Sequence, residues 1–219
     1  MSGRLLALTG VFLAAGAPVR LTAQDPWPVL DRAGGAYQRA ETFTADFVQV
    51  VTDPMLGEPD TTRGRFYQRR PSHFAMRFTQ PHGDRIVADG RYLWLYTPST
   101  TPGQVIRSRI PQTGTTGPNL IGQFVERPRE RYAARYLRAD STDAGWVDVV
   151  ALTPRDQSLP YRDAVVWVGR DDGLVRRLEI SETSGQQRVL VLRNLRENGA
   201  VPAREFRFTP PGGVRVVDQ

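Results

Sequence analysis

The segment from Gln68 to Pro98 constrains the fold of this chain more than any other part of the sequence. Phe74, Met76 and Phe78 occupy alternate positions, with mostly polar residues between them. Because successive side chains of a β-strand point to opposite faces, this alternation predicts a strand with one apolar and one mostly polar face. Arg70 immediately precedes a proline at the edge of that apolar face. A chain with this pattern can hold something apolar and control access to it with one charged residue.

Further segments with a period of two recur along the chain, and turn-forming dipeptides such as Asp89-Gly90, Ser184-Gly185 and Asn198-Gly199 separate several of them. Such dipeptides favour tight hairpins. Short strands at this spacing predict a mainly β fold built on one meandering antiparallel sheet, curved or nearly closed. The predicted strands cover residues 43–49, 63–70, 73–79, 85–89, 91–97, 103–108, 135–138, 146–152, 164–169, 174–181, 187–194 and 203–209.

Two segments have helical spacing instead. In the first, Asp25 is predicted as the N-cap and Pro26 as a first-turn residue, and apolar residues then follow a helical period up to residue 40. Gly34 and Gly35 should each weaken this helix by about 1 kcal/mol relative to alanine, so the helix needs tertiary contacts to persist.

The second helical segment covers residues 117–125 and follows a loop at residues 111–116. Leu120, Ile121 and Phe124 fall on one stripe of this helix, and Pro128 is expected to end it.

The first 23 residues have the layout of a secretory signal peptide: a short basic start, an apolar run over residues 5–17 and a cleavage site after Ala23. The alternative is a buried or interfacial N-terminal helix. Cleavage would leave a single domain over residues 24–219, which is long enough for a substantial core. The chain has no cysteine, so it has neither disulfides nor the lipidated cysteine that anchors a bacterial lipoprotein.

Charge and composition argue against several functional classes. The net charge is +6, but all the basic residues are arginines scattered among acids, without the focused basic face of a nucleic-acid-binding protein. His73 and His82 have no partner at metal-ligand spacing, and no nucleophile elbow or phosphate-binding glycine loop is present. A pair of carboxylates acting as in a glycosidase stays open. The sequence therefore predicts a binding protein without metal or cofactor rather than an enzyme.

The apolar positions have two interpretations: the core of a sealed β-sandwich, or a surface that binds an apolar ligand. Arg70 is either an ordinary edge arginine in water or a latch that donates hydrogen bonds across an opening. The residues of the apolar faces are Phe43, Phe47, Phe66, Phe74, Met76, Phe78, Phe206 and Phe208.

A series of motifs resembles the periplasmic outer-membrane lipoprotein carriers of the LolA type, from residue 43 to the C-terminus. No single motif is specific, but their order and spacing together are. The motifs are Arg70-Pro71-x-x-Phe74, Thr79-Gln80-Pro81, Asp89-Gly90 followed by Leu93-Trp94-Leu95-Tyr96, Asn198-Gly199-Ala200-Val201, and the ending Phe206-Arg207-Phe208-Thr209-Pro210-Pro211-Gly212-Gly213-Val214.

This resemblance implies an incomplete antiparallel β-barrel, or half-barrel, whose apolar cavity is covered by a helical lid. Arg70 with Pro71 would form the lid latch of the unloaded state. Met76 stands where the family often has tryptophan, and it keeps a bulky side chain there. The acyl-chain cavity would be formed by Phe47, Phe66, Phe74, Met76, Phe78, Leu120, Ile121 and Phe124.

The resemblance also implies a function. The chain would be a monomeric periplasmic carrier that takes acylated lipoproteins from an inner-membrane ABC-type releasing complex and delivers them to an outer-membrane receptor. A lipid-sensing periplasmic regulator with a related half-barrel is the alternative, and a periplasmic hydrolase is a third hypothesis. The receptor itself is disfavoured, because it needs a lipidated cysteine.

Overall fold

The computed structural model describes residues 24–110 and 120–219. The predicted signal peptide, the loop at 111–116 and the first residues of the second predicted helix lie outside these ranges.

Within the described ranges the chain forms twelve strands, three α-helices and one 3-10 turn. The strands are β1 Thr42–Thr52, β2 Asp60–Arg69, β3 His73–Gln80, β4 Arg85–Asp89, β5 Tyr92–Tyr96, β6 Gln104–Arg109, β7 Tyr132–Thr142, β8 Gly145–Pro154, β9 Tyr161–Gly169, β10 Val175–Glu182, β11 Gln187–Glu197 and β12 Arg215–Asp218. The helices are α1 Trp27–Arg39, α2 Gly122–Val125 and α3 Pro128–Arg131, and the 3-10 turn is Ala203–Phe206.

All twelve strands belong to one sheet, in the order β12-β6-β5-β4-β3-β2-β1-β11-β10-β9-β8-β7. Strands β1 to β6 form one meander and β7 to β11 form another, and the pairing of β1 with β11 joins the two. Every neighbouring pair is antiparallel except β12 with β6. Strands β12 and β7 are the two free edges of the sheet. The mainly β, incomplete antiparallel barrel predicted from the sequence is therefore confirmed.

The sheet curves around its helices. Phe74 of β3 and Leu152 of β8 belong to the same buried cluster, although six strand intervals separate their strands in the sheet. In a flat sheet six intervals of about 4.8 Å would place these strands roughly 29 Å apart. Helices α1 and α2 contribute Leu30 and Phe124 to this cluster. The helices thus fill the inner side of the curved sheet, and the β-sandwich interpretation is wrong.

The opposite, outer face of the sheet carries a second apolar cluster, covered by the C-terminal segment. Ala75, Trp94 and Phe206 lie in this cluster, and Phe208 packs against it with its ring centroid 5.5 Å from that of Trp94. The prediction of a strand over 203–209 is wrong, because residues 203–206 form a 3-10 turn, and Phe206 and Phe208 lie on the face of the sheet opposite to Phe74. Alternation shows which side chains of one segment share a face. It does not show against which face of the sheet that segment packs.

Helix boundaries also differ from the prediction. Pro26, not Asp25, is the N-cap of α1, although the Asp25 carboxylate accepts a hydrogen bond from the Trp27 backbone N–H at 3.1 Å. Pro128 begins α3 instead of ending α2, because a proline at the first helical position loses no intrahelical hydrogen bond. Between residues 24 and 219, leaving out 111–119, no helix has the length and apolar character needed to cross a membrane.

Candidate functional site

The structure brings the eight residues predicted for the acyl-chain cavity into one apolar cluster. Phe47, Phe66 and Phe124 are at most 1% exposed, while Phe78 and Leu120 are partly buried at its margin. The rings meet edge to face, with centroids 5.1 Å apart for Phe47–Phe78 and 5.7 Å apart for Phe66–Phe74. The other three members are Phe74, Met76 and Ile121. Their role in binding an acyl chain stays a prediction.

A glycine lets the rings from strands β1 and β3 meet across strand β2. Gly64 is paired with Phe47 on one side and with Phe78 on the other. A Cβ atom at Gly64 would lie 2.0 Å from the backbone oxygen of Arg77 and 2.8 Å from the Phe47 ring. Any other residue would therefore separate β2 from β3 and push the Phe47 ring away.

Helices α1 and α2 form a cover over this cluster, which we call the helical cover. Gly34 lies at their contact, where an added Cβ would be 2.8 Å from the Val125 backbone oxygen. The cover closes tightly. The cavity left between α1, Ile121 and the sheet has a volume of about 10 Å³, whereas pockets that hold organic ligands have roughly 300–1,000 Å³. This cavity is therefore too small to hold an acyl chain.

Arg70 holds the C-terminal end of α1. Its Nη1 atom donates hydrogen bonds to the backbone oxygens of Tyr37 at 3.1 Å, Gln38 at 2.7 Å and Ala40 at 3.3 Å. Its guanidinium carbon also lies 5.0 Å from the centroid of the Tyr37 ring. The last carbonyl groups of a helix lack intrahelical partners and carry partial negative charge, so a guanidinium group is well matched to them. The Arg70–Pro71 peptide bond is cis.

These contacts place the Arg70 guanidinium group against the C-terminal end of α1. Because α1 has a glycine at position 34, it packs closely against α2 at Val125. A residue that holds α1 in place therefore also supports the position of α2. Local sequence patterns single out Arg70 but not its acceptors, since 30 to 33 residues separate them along the chain.

Arg32 provides a second anchor of α1, which was not predicted from the sequence. Arg32 donates from Nη2 to Asp148 at 2.8 Å and from Nε to the Gly169 backbone oxygen at 3.2 Å. Arg170 binds the other oxygen of the same carboxylate at 2.8 Å. Asp148 is only 5% exposed. The sequence could have indicated this contact. Asp148 is two residues before Val150 on β8, so both side chains point to the inner face of the sheet. An acid that is buried there needs a partner.

Asp148→Asn should therefore loosen α1 and lower the free energy of unfolding by about 2 kcal/mol at pH 7, because it removes the charge from these hydrogen bonds. Burial by itself would raise the pKa of Asp148, but hydrogen bonds from Arg170 and Arg32 lower it below its usual value. A lowered folded-state pKa gives stability that is present above about pH 4 and is lost as the pH falls through the folded-state value. Urea unfolding of both proteins at several pH values checks this. The difference between them should shrink below about pH 4, and a difference independent of pH would contradict it.

Two buried tyrosines, Tyr132 of β7 and Tyr161 of β9, connect α2 to the sheet. The hydroxyl of Tyr132 donates to the Gln123 backbone oxygen at 3.0 Å and lies 2.8 Å from the hydroxyl of Tyr161. The Phe124 ring packs between these two tyrosines, with centroids 6.2 Å and 5.8 Å away. Burial and the contact with Tyr161 raise the pKa of Tyr132, so its hydroxyl stays protonated.

The site has the features of a binding surface. Across residues 24–110 and 120–219, no three His, Asp or Glu side chains lie close enough together to hold a metal ion. The most buried acid near the cover is Asp148, and its carboxylate forms salt bridges with Arg32 and Arg170. What the arrangement offers chemically is a large apolar surface beneath two helices.

Comparison with known proteins agrees with this description. A family model described as "Outer membrane lipoprotein carrier protein LolA" matches residues 38–209. The outer-membrane lipoprotein carrier protein of Albidiferax ferrireducens is 31% identical over 185 residues, which cover 81% of this chain and 85% of that protein.

Two solved structures share the fold. An uncharacterized conserved protein from Thermus thermophilus has a TM-score of 0.56 at 14% identity, covering 90% of this chain and 100% of its own. A chain of the Pseudomonas aeruginosa MucA/MucB complex has a TM-score of 0.51 at 17% identity, covering 87% of this chain and 62% of its own. At such identities the likeness concerns the fold alone. The family match, by contrast, extends over most of the sequence, and the chain belongs to the outer membrane lipoprotein carrier family, LolA.

Proposed function

We propose that this protein is a periplasmic carrier that binds the acyl chains of lipoproteins. One observation carries the proposal: an aromatic-rich cluster lies on the inner face of an open sheet, under helices held by a few polar contacts. Opening the helical cover exposes Phe47, Phe66 and Phe74 to a ligand. Family membership and the name of the Albidiferax relative support the same function.

The energetics of acyl-chain transfer require such a cover. Burying one methylene is worth about 0.8 kcal/mol, so a sixteen-carbon chain represents on the order of 12 kcal/mol gross. A carrier must offer a comparable apolar surface and must still release its cargo. A permanently exposed surface of this kind would promote aggregation. A cover held by hydrogen bonds of about 1 kcal/mol each closes the empty protein and opens at modest cost.

The delivery route is part of the same proposal. The first 23 residues direct export and are removed, and residues 24–219 work as a single monomeric carrier domain in the periplasm. An inner-membrane ABC-type complex supplies the energy to extract the lipoprotein, and an outer-membrane receptor accepts it. The chain then needs neither catalysis nor a cofactor of its own, because binding and release are its whole task.

The direct test is to purify the protein after co-expression with a lipoprotein and to analyse it by mass spectrometry. Acylated cargo should copurify with the carrier. If only unacylated forms of the lipoprotein, or none, are recovered under conditions where the releasing complex is active, the carrier function is refuted.

Phe74→Glu should weaken acyl-chain binding at least tenfold, because it places a charge in an apolar site where the native ring is 5% exposed. Titration with a fluorescent fatty-acyl probe measures the effect. Phe208→Glu is the matched control, since it introduces the same charge on the outer face of the sheet. Unchanged binding by a folded Phe74→Glu protein would place this residue outside the acyl site.

A further inference from the structure

An amide side chain lies among the aromatic rings of the inner face. Gln68 of β2 is paired with Phe43 of β1 on one side and with Phe74 of β3 on the other, and both rings belong to the buried cluster of that face. Because directly paired residues of neighbouring strands point to the same face, the Gln68 side chain projects into this cluster. Gln68 is only 1% exposed. The structure thus places a hydrogen-bonding group inside an apolar site.

A hydrogen-bond acceptor of this amide belongs to the helical cover. Nε2 of Gln68 donates to the hydroxyl oxygen of Tyr37 at 2.7 Å, and Tyr37 is part of α1. The Tyr37 ring stacks on Phe43, with centroids 5.4 Å apart. Arg70 donates to the backbone oxygen of the same tyrosine, and its guanidinium carbon lies 5.0 Å from the ring centroid. Movement of α1 away from Arg70 would therefore also take the Tyr37 hydroxyl away from Gln68.

A loaded site must replace this hydroxyl oxygen. If the ligand offered only hydrocarbon here, the amide N–H would be buried against methylene groups, which is costly. An apolar side chain at position 68 would avoid that cost, so a glutamine favours a ligand that has an oxygen acceptor at this level of the site. An acyl chain has such an oxygen, in the carbonyl of the ester or amide bond that links it to the rest of the molecule.

The position of Gln68 along β2 suits the carbonyl end of an acyl chain. Arg70, two residues further along the strand, contacts the end of α1. In the other direction Gly64 is four residues away, about 13 Å along the strand. The rings of Phe47 and Phe78 meet there on either side of Gly64. A carbonyl group bound at Gln68 would thus leave the hydrocarbon chain to run over these rings.

We infer that Gln68 is a specificity-determining residue of the acyl site: its side-chain amide donates a hydrogen bond to the carbonyl oxygen of a bound acyl chain. This inference rests on the proposed binding of acyl chains and adds a preference to it, for chains with a carbonyl over alkyl ethers and plain hydrocarbons. In the empty protein the Tyr37 hydroxyl accepts this hydrogen bond instead. The ligand and the cover thus compete for the same N–H group.

Isothermal titration calorimetry of the full chain with three ligands tests the preference. The ligands are monododecanoylglycerol, the corresponding ether and the corresponding amide, and the ether has the same chain and head group but no carbonyl. Wild type should bind the two carbonyl compounds about fivefold more tightly than the ether, which is the effect of one hydrogen bond. A preference for only one of the two identifies the linkage that Gln68 contacts.

The possible failures of this experiment are distinguishable. If wild type binds all three ligands with equal affinity, Gln68 does not recognise the carbonyl, and the carrier function is unaffected. If none of the three binds, the proposed acyl-binding function itself is refuted.

Gln68→Met removes the amide and keeps a side chain of similar size. The variant also loses the hydrogen bond to Tyr37, which favours the open cover and raises the affinity for every ligand by the same factor. The ratio between the affinities for the ester and the ether does not depend on that factor. It should fall from about five in wild type to about one in the variant.

Tyr37→Phe is the matched control, because it breaks the same hydrogen bond from the side of the cover and leaves Gln68 in place. It should raise the affinity for all three ligands and keep the ratio at about five. If Gln68→Met does not fold, a ratio of about one in both wild type and Tyr37→Phe would still contradict the inference. A ratio that stays near five in a folded Gln68→Met protein would show that another donor binds the carbonyl, and would refute this role of Gln68.

Discussion

Arg70→Leu should increase the binding of an environment-sensitive dye by the empty protein roughly 30-fold. The substitution removes three hydrogen bonds from a charged donor to the C-terminal carbonyls of α1. If these bonds together favour the closed cover by about 2 kcal/mol, their loss shifts the equilibrium between closed and open forms by a factor of about 30. Titration with anilinonaphthalene sulfonate measures the fraction of protein with accessible apolar surface.

Arg69→Leu is the matched control for this experiment. Arg69 is the preceding residue on β2, but its guanidinium carbon lies 4.9 Å from the Phe206 ring centroid on the outer face. Its loss should not affect the cover. If Arg70→Leu and Arg69→Leu change dye binding equally, Arg70 acts only as a general stabilising residue and the latch is wrong.

Gly34→Ala and Gly35→Ala should shift stability in opposite directions. An added Cβ at Gly34 would lie 2.8 Å from the Val125 backbone oxygen, so α2 must move away from α1. Such overpacking costs roughly 1–3 kcal/mol. An added Cβ at Gly35 would lie 3.3 Å from Nη1 of Arg39, the mobile end of a long side chain, which can give way. Here the gain in helix propensity of up to about 1 kcal/mol should prevail.

Thermal unfolding and dye binding together check this pair. For a chain of this size 1 kcal/mol corresponds to about 2–4 °C in melting temperature, so Gly35→Ala should melt a few degrees higher than wild type. Gly34→Ala should melt lower and bind more dye, because displacement of α2 uncovers the aromatic cluster. If both variants melt higher and neither binds more dye, the contact between the two helices does not hold the cover closed.

The strands were predictable because their signal is local. Alternation from Phe74 to Phe78 identifies β3 and its apolar face without knowledge of the rest of the chain. The same signal could not place Phe206, because its face depends on where the C-terminal segment crosses the sheet. β12 was missed for a similar reason, since four residues at Arg215–Asp218 form a strand only through pairing with β6.

The sequence points to residues of the candidate site but not to the contacts that hold them in place. The alternation of side chains and the resemblance to the LolA-type carriers together singled out Arg70 and the aromatic cluster as candidates. The partners of Arg70 and of Arg32 lie far away in the sequence, in α1 and at Asp148, and no local pattern indicates them. Gly34 illustrates the same limit, because propensity marks it as a weakness of α1, whereas in three dimensions it allows close approach to Val125.

The position of α1 at the start of the domain has a consequence for how the chain acquires its structure. Arg32 of α1 contacts Asp148 and Gly169, which are 116 and 137 residues further along the chain. Helix α1 therefore cannot reach its final position until the last third of the polypeptide is available. The pairing of β1 with β11 imposes the same delay. A polypeptide threaded N-terminus first through a translocation pore would therefore stay extended and loosely ordered during passage, and would compact only on the far side.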